Sequence, residues 1–277
     1  FTYPLSAFTM GYLNMLKSIE RVTISTVIYG SSLFINILVN AVLIFGLLGF
    51  PAMGIQGAAI GTLIARLVEL FILLFYVNRF KPEVKVKWEY VIHTDTVLWK
   101  DFLYFASPVI LNEVLWGVGY SANTAIVGRL GSGVVAANSV VQVTRQLSMV
   151  VGFGIAAATA IMIGKAIGEG RKDIAEEYGR KFTMLGLLCG IGGAAVILLL
   201  RPAILWGMGF EGETARYLHL FLGMMTAYVI GQSVNSTWVV GIFRSGGDTR
   251  FGMILDMTTM WFGSILFSAL AAFVFHF

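Results

Sequence analysis

The sequence predicts an all-α polytopic membrane protein, and three observations carry that reading. Hydrophobic residues make up 57% of the 277 and charged residues only 12%, with a mean hydropathy of +0.83. A soluble domain of this size needs more surface charge and less apolar bulk. The apolar residues come in runs long enough to cross a bilayer core about 30 Å thick, which takes roughly 20 helical residues. The runs lack the alternation of a membrane barrel, and isolated strands would leave backbone groups unpaired in lipid, so helices remain.

Taken in order, residues 1–16 read as the end of one helix. Seven full runs follow, at about 22–49, 55–78, 101–127, 133–165, 181–201, 214–243 and 250–275. Breakers or charges fill the joints: GFPAMG at 49–54, RFKPEVKVKWEY at 79–90, RLGSG at 129–133, GEGRKDIAEEYGRK at 168–181, RPAILWGMGFEGE at 201–213 and RSGGDTR at 244–250. The chain opens on Phe1 and stops within the apolar FVFHF, so a piece of a longer protein is expected.

Charge placement orients these spans. With Lys17 and Arg21 cytoplasmic, fourteen of the nineteen Lys and Arg share that side, in joints 17–21, 79–100, 165–181 and 244–250. Arg129, Arg201 and Arg216 fall on the other side, while Arg66 and Arg145 lie inside spans. This is the positive-inside asymmetry of a multi-pass plasma-membrane protein. The net charge of +4 therefore reports topology and is no nucleic-acid footprint. Two basic joints also look alike, LKSIERVT at 16–23 and FRSGGDTR at 243–250. Superposing Lys17 on Arg244 gives a repeat offset of 244 − 17 = 227 residues. Counting spans on that offset gives twelve helices in two parallel halves, a common transporter plan with its substrate site between the halves.

Polar residues inside the spans are the candidates for function, because an ionised group at mid-bilayer costs at least about 2.5–3.5 kcal/mol. Glu113 lies near mid-depth in PVILNEVLWGVGYSANTAIVGRLG, 108–131. At helical spacing it continues through Gly117, Tyr120 and Thr124 as a polar stripe. Asn138, Gln142, Arg145, Ser148 and Gly152 share a face of the next span, and Arg145 falls at a depth like that of Glu113. Two roles suit Glu113: a structural ion pair with Arg145 as counter-ion, or a cation site that binds Na⁺ or takes up H⁺. Arg66 and Glu69 are three apart on one face, which fits a structural intramembrane pair. Asp256 is either a further cation-coupling acid or, six residues beyond Arg250, a group at the cytoplasmic interface. Tyr228, Gln232 and Asn235 line one face of 214–243, and Asn36 and Asn40 one face of 22–49. With Trp116, Tyr120 and Gln142 these are the candidate cavity residues, although buried amides also bond helix to helix.

Other chemistries lack their residues. No Walker-type GxxxxGK[ST] occurs, GKAIGEG at 164–170 being a glycine-rich helix end, so the chain carries no ATP motor of its own. His93, His219 and His276 show no metal-ligand spacing, and the single Cys189 excludes an internal disulfide. No enzyme constellation is visible.

Four segments carry a family resemblance: NILVNAVLIFGLLGFPAMGIQGAAIGTLIAR (36–66), VGRLGSGVVAANSVVQ (127–142), GKAIGEGRKDIAEE (164–177) and GIFRSGGDTRFGMILDMTTMW (241–261). In this order they resemble the multidrug and toxic compound extrusion (MATE) family. The resemblance implies a two-lobe, twelve-helix antiporter exporting cationic or amphiphilic drugs or metabolites by alternating access. It implies no cofactor beyond a coupling ion, Na⁺ or H⁺, with a small-molecule substrate, a lipid bilayer, no nucleic acid and a monomeric transporter. The chain would run from the end of helix four through helix eleven. Residues 1–80 would belong to the N-lobe, 81–100 to a cytoplasmic linker and 101–277 to the C-lobe. Glu113 occupies a position where the family often carries a seventh-helix acid in cation coupling. The tenth-helix acid of sodium-coupled members has no counterpart in 217–243, and the first-helix acid of proton-coupled members would lie upstream of residue 1. Two other functions remain open: a lipid-linked saccharide flippase of the wider superfamily, which needs a more cationic cavity, and a scaffold, which leaves mid-membrane Glu and Arg without purpose.

Overall fold

The computed structural model describes residues 2–19, 21–80 and 95–274, so the expected linker lies outside the described residues over 81–94. The chain divides into two compact units, residues 1–94 and 95–277. The described residues contain helices and no strand.

The first unit holds α1 (Thr2–Ser18), α2 (Val22–Phe45) and α3 (Ile55–Phe80). Its core joins Tyr12, Leu13 and Leu16 of α1 to Ile28 of α2 and Leu73 and Val77 of α3. α2 ends four residues before the apolar run does, because Gly46 turns left-handed at φ 71° and its amide closes onto the Val42 carbonyl. A side chain there would also meet the Ala52 backbone nitrogen at 2.8 Å. On α3, Gly57, Gly61, Ala65, Glu69, Leu73 and Val77 are buried at every fourth position. The small residues at the start of that stripe let α2 approach closely: a Cβ on Gly57 would lie 2.7 Å from the Leu43 carbonyl oxygen.

The second unit begins with α4 (Thr96–Arg129), whose first turn is capped by Asp95, accepting from the Val97 amide at 2.9 Å. α5 (Ser132–Gly168) and α6 (Lys172–Met208) follow, each 37 residues long. At 1.5 Å per residue such helices outrun the hydrocarbon core. α6 starts nine residues before the apolar run at 181 because Arg180–Glu176 and Lys181–Glu177 pairs, at 2.6 and 2.5 Å, support a charged helical extension. α7 (Gly212–Ser236) continues through a π-helical stretch, Thr237–Phe243. α8 (Thr249–Thr258) does the same through Thr259–Ile265 before α9 (Leu266–Phe273).

α5, α6 and α7 share the main core, built on Val141, Met149, Ile197, Leu218, Leu222 and Val229. Contacts between distant joints fix the direction of these helices. At one end Arg250 sits over the Tyr104 ring at 4.5 Å, Gly247 faces Phe105, and Gly164 faces Ser245. At the other end Gly133 meets Thr214, and Arg201 donates to the His219 carbonyl at 2.9 Å. The basic joints of this unit thus gather at one end, as the charge alternation expects. Six helical segments are long and apolar enough to cross a membrane among the described residues, one fewer than the seven apolar runs. The missing one is α7, whose charged first turns and polar Tyr228–Gln232–Asn235 face dilute its apolar character.

Candidate functional site

A cavity of about 570 Å³ opens among α4, α5, α7 and the π stretch after α8. Its wall includes Trp116 and Tyr120 from α4, Gln142 and Arg145 from α5, Tyr228, Gln232 and Asn235 from α7, and Asp256 from α8. Eight residues singled out in the sequence therefore meet around one space. Asn123, Asn138, Thr259 and Ser264 complete its polar lining.

Asp256 is the hub of this wall and is only 5% exposed. Its Oδ2 accepts from Trp116 Nε1 at 2.6 Å and from Asn112 Nδ2 at 3.2 Å, and its Oδ1 accepts from Asn235 Nδ2 at 3.1 Å. A 5%-exposed carboxylate bonded to donors on two other helices faces the protein interior. Three residues after it, at Thr259, the backbone widens into the π stretch, a feature that recurs at functional sites. The wide turn is matched across the interface: a Cβ on Gly119 would lie 2.6 Å from Met260 Cε. Arg145 donates Nε–H to Gln142 Oε1 at 2.9 Å, and Tyr228 donates its hydroxyl to Gln232 Oε1 at 2.9 Å.

The MatE family model matches residues 108–272, which include every residue of this wall and more than half of the chain. The chain belongs to the MatE family. Curated relatives agree with that placement. The uncharacterized transporter YisQ of Bacillus subtilis is 26% identical over 229 residues, 82% of this chain and 50% of the relative. A probable multidrug resistance protein NorM of Thermotoga maritima is 24% identical over 247 residues, 89% of this chain and 53% of the relative. The MatE chain thus spans about half the length of the curated relatives it matches. Among solved structures, the outward-facing conformation of a multidrug resistance MATE family transporter of the MOP superfamily superposes with a TM-score of 0.83 at 18% identity. That match covers 96% of this chain and 59% of the other. The apolar helices and the family together make this a multi-pass integral membrane protein.

Glu113 stands apart from the MatE cavity. Its Oε1 lies 2.7 Å from Arg244 Nη2, at the end of the π stretch that follows α7. Its counter-ion is Arg244 and not Arg145, so of the two roles open to Glu113 the pairing with Arg145 does not form. The reason is a helical rotation of one residue: the buried positions of α4 are Asn112, Gly119 and Ile126, so Glu113 turns away from the cavity and is exposed. A Na⁺ ion placed on Glu113 would meet the Arg244 guanidinium. Asn112 was missed for the same reason. The legible signal was the stripe Asn112, Trp116, Gly119, Asn123, which runs parallel to the chosen one.

The remaining predicted residues lie in the first unit. Asn40 Nδ2 donates to Asn36 Oδ1 at 3.1 Å, and Asn40 packs against Gly61. Arg66 and Glu69 form the expected pair at 2.6 Å, with Glu69 fully buried and also accepting from Ser32 Oγ at 3.0 Å. Among the described residues no cluster of His, Cys, Asp and Glu forms a metal site.

Proposed function

We propose that this MatE chain is part of a secondary active antiporter that exports amphiphilic drugs or metabolites across the plasma membrane in exchange for Na⁺ or H⁺. In this reading the cavity of the second unit takes the substrate and Asp256 takes the coupling cation. The observation that carries it is the convergence of N–H donors from Asn112, Trp116 and Asn235 on that one carboxylate, at the wall of a cavity of drug-binding size. Loading Asp256 with H⁺ or Na⁺ would withdraw charge from all three donors at once. The ties from Asp256 to α4 and α7 would weaken together, and helices held through one carboxylate can exchange between two packings. That is the element alternating access needs, and the kinship with NorM proteins supports the transport reading. Glu113, tied to Arg244, would set the packing of α4 on the end of α7.

The test uses the full-length protein in proteoliposomes with an imposed Na⁺ or H⁺ gradient and a panel of anionic and cationic amphiphilic dyes. Asp256→Asn should lose gradient-driven efflux by about a hundredfold or more, as loss of an essential charged group does, while downhill exchange persists. Glu113→Gln should keep its ion response. A parent protein with no gradient-dependent efflux removes the antiporter reading; loss in Glu113→Gln but not in Asp256→Asn moves the coupling site to Glu113.

A further inference from the structure

The two formal charges on the cavity wall are not equally committed. Asp256 is recessed and engaged by three N–H donors. Arg145 is half-buried, and its single hydrogen bond among the described residues is the one from Nε to Gln142. No carboxylate among the described residues lies within ion-pair distance of Arg145. The rest of its guanidinium fork, a planar set of donors with no acceptor, remains for a guest. The same cavity is lined by amides from Gln142 and Gln232 and by the aromatic residues Trp116, Tyr120 and Tyr228. Of the two opposite charges on this wall, Arg145 is therefore the one whose hydrogen-bonding groups are open to a guest, with apolar surface beside it.

From this we infer that the cavity recognises an anionic group: its guest is an amphiphile carrying one carboxylate or sulfonate next to an aromatic or apolar body, with the anion on Arg145. The inference rests on the proposed substrate role of the cavity and adds the charge of the substrate. A guanidinium pairs with a planar carboxylate through two parallel N–H···O bonds, and such a charge-assisted pair outweighs a neutral contact. Among the lining residues Arg145 is the single cation, which suits one negative charge and leaves the several charges of a pyrophosphate uncompensated. An anion here also gives a half-buried arginine at membrane depth a counter-charge, which a cationic guest would not.

Equilibrium binding to the purified full-length protein in detergent tests this without any gradient. Fluorescein serves as the anionic aromatic probe, ethidium as the cationic one and farnesyl pyrophosphate as competitor. Fluorescein should bind, Arg145→Gln should weaken it by about tenfold or more, and Arg145→Lys should recover part of the loss. Ethidium binding should be no weaker in Arg145→Gln than in the parent, and its retention with an unchanged thermal midpoint shows that the variant folds. Binding of ethidium but not fluorescein by the parent overturns the inference, as does unchanged fluorescein binding in Arg145→Gln. Displacement by farnesyl pyrophosphate at lower concentration than by a simple aromatic carboxylate overturns the single-anion assignment. A protein that binds fluorescein through Arg145 yet moves no dye under a gradient refutes the exporter reading and leaves this one standing.

Discussion

Two buried carboxylates in this chain solve the same problem differently. Asp256 is surrounded by neutral N–H donors from α4 and α7, so its charge can be taken up by a mobile cation without stranding a partner charge. Glu69 is held by Arg66 and Ser32, and releasing it would strand a guanidinium. That contrast marks Asp256 for exchange and the Arg66–Glu69 pair for structure. It yields a stability prediction. Arg66→Leu leaves the fully buried Glu69 without its counter-charge and should cost about 3 kcal/mol, the low end for a broken buried pair because Arg66 is partly exposed. The double variant Arg66→Leu, Glu69→Leu should recover most of that loss, read as the thermal midpoint of the full-length protein in detergent. Recovery of ion-driven efflux failing to follow recovery of stability would instead give the pair a part in transport. The residues of both groups are legible in the sequence as charges inside apolar runs. The partners of Asp256 are not, because Asn112 and Asn235 reach it across 144 and 21 residues of chain.

At the scale of elements, α6 shows how closely these helices pack. Gly186, Gly190 and Gly193 are buried on one face. A Cβ on Gly190 would lie 2.9 Å from Ile230 Cα and one on Gly193 would lie 2.9 Å from the Ser148 carbonyl oxygen, so backbone meets backbone. Gly192, two residues on, has nothing within 4 Å. Gly190→Leu should therefore destabilise by about 1–3 kcal/mol through overpacking, since backbone cannot yield as a flexible side chain does. Gly192→Leu should leave the thermal midpoint unchanged; equal effects at both positions would refute the packing account. The long helices themselves follow from composition and periodicity. The π stretches do not, since Thr237–Phe243 and Thr259–Ile265 read like any apolar helix.

For the whole molecule, the charge alternation makes a claim about sidedness that labelling can check. Joints 165–181 and 244–250 meet at one end of the second unit and joints 129–133 and 201–213 at the other. In the full-length protein freed of its native thiol by Cys189→Ala, a cysteine at Glu211 should react with an impermeant maleimide from outside the cell. One at Glu169 should react only in inverted vesicles. The reverse pattern would invert the topology. The MatE relatives are about twice as long as this chain, so each functional test belongs in the full-length protein.

What the sequence by itself determined is whatever depends on local composition and period: a helical membrane protein, its family and the polar residues from which a cavity could be built. Lipid enforces those features segment by segment, through the cost of bare backbone and of buried charge. Only the tertiary structure decided which of those polar groups meet. A rotation of about 100° separates adjacent helical positions, so α4 could turn either Glu113 or Asn112 inward with nearly the same hydropathy. The packing of Gly119 against Met260 settles it, and with it the choice of Asp256 over Glu113 as the carboxylate at the cavity wall.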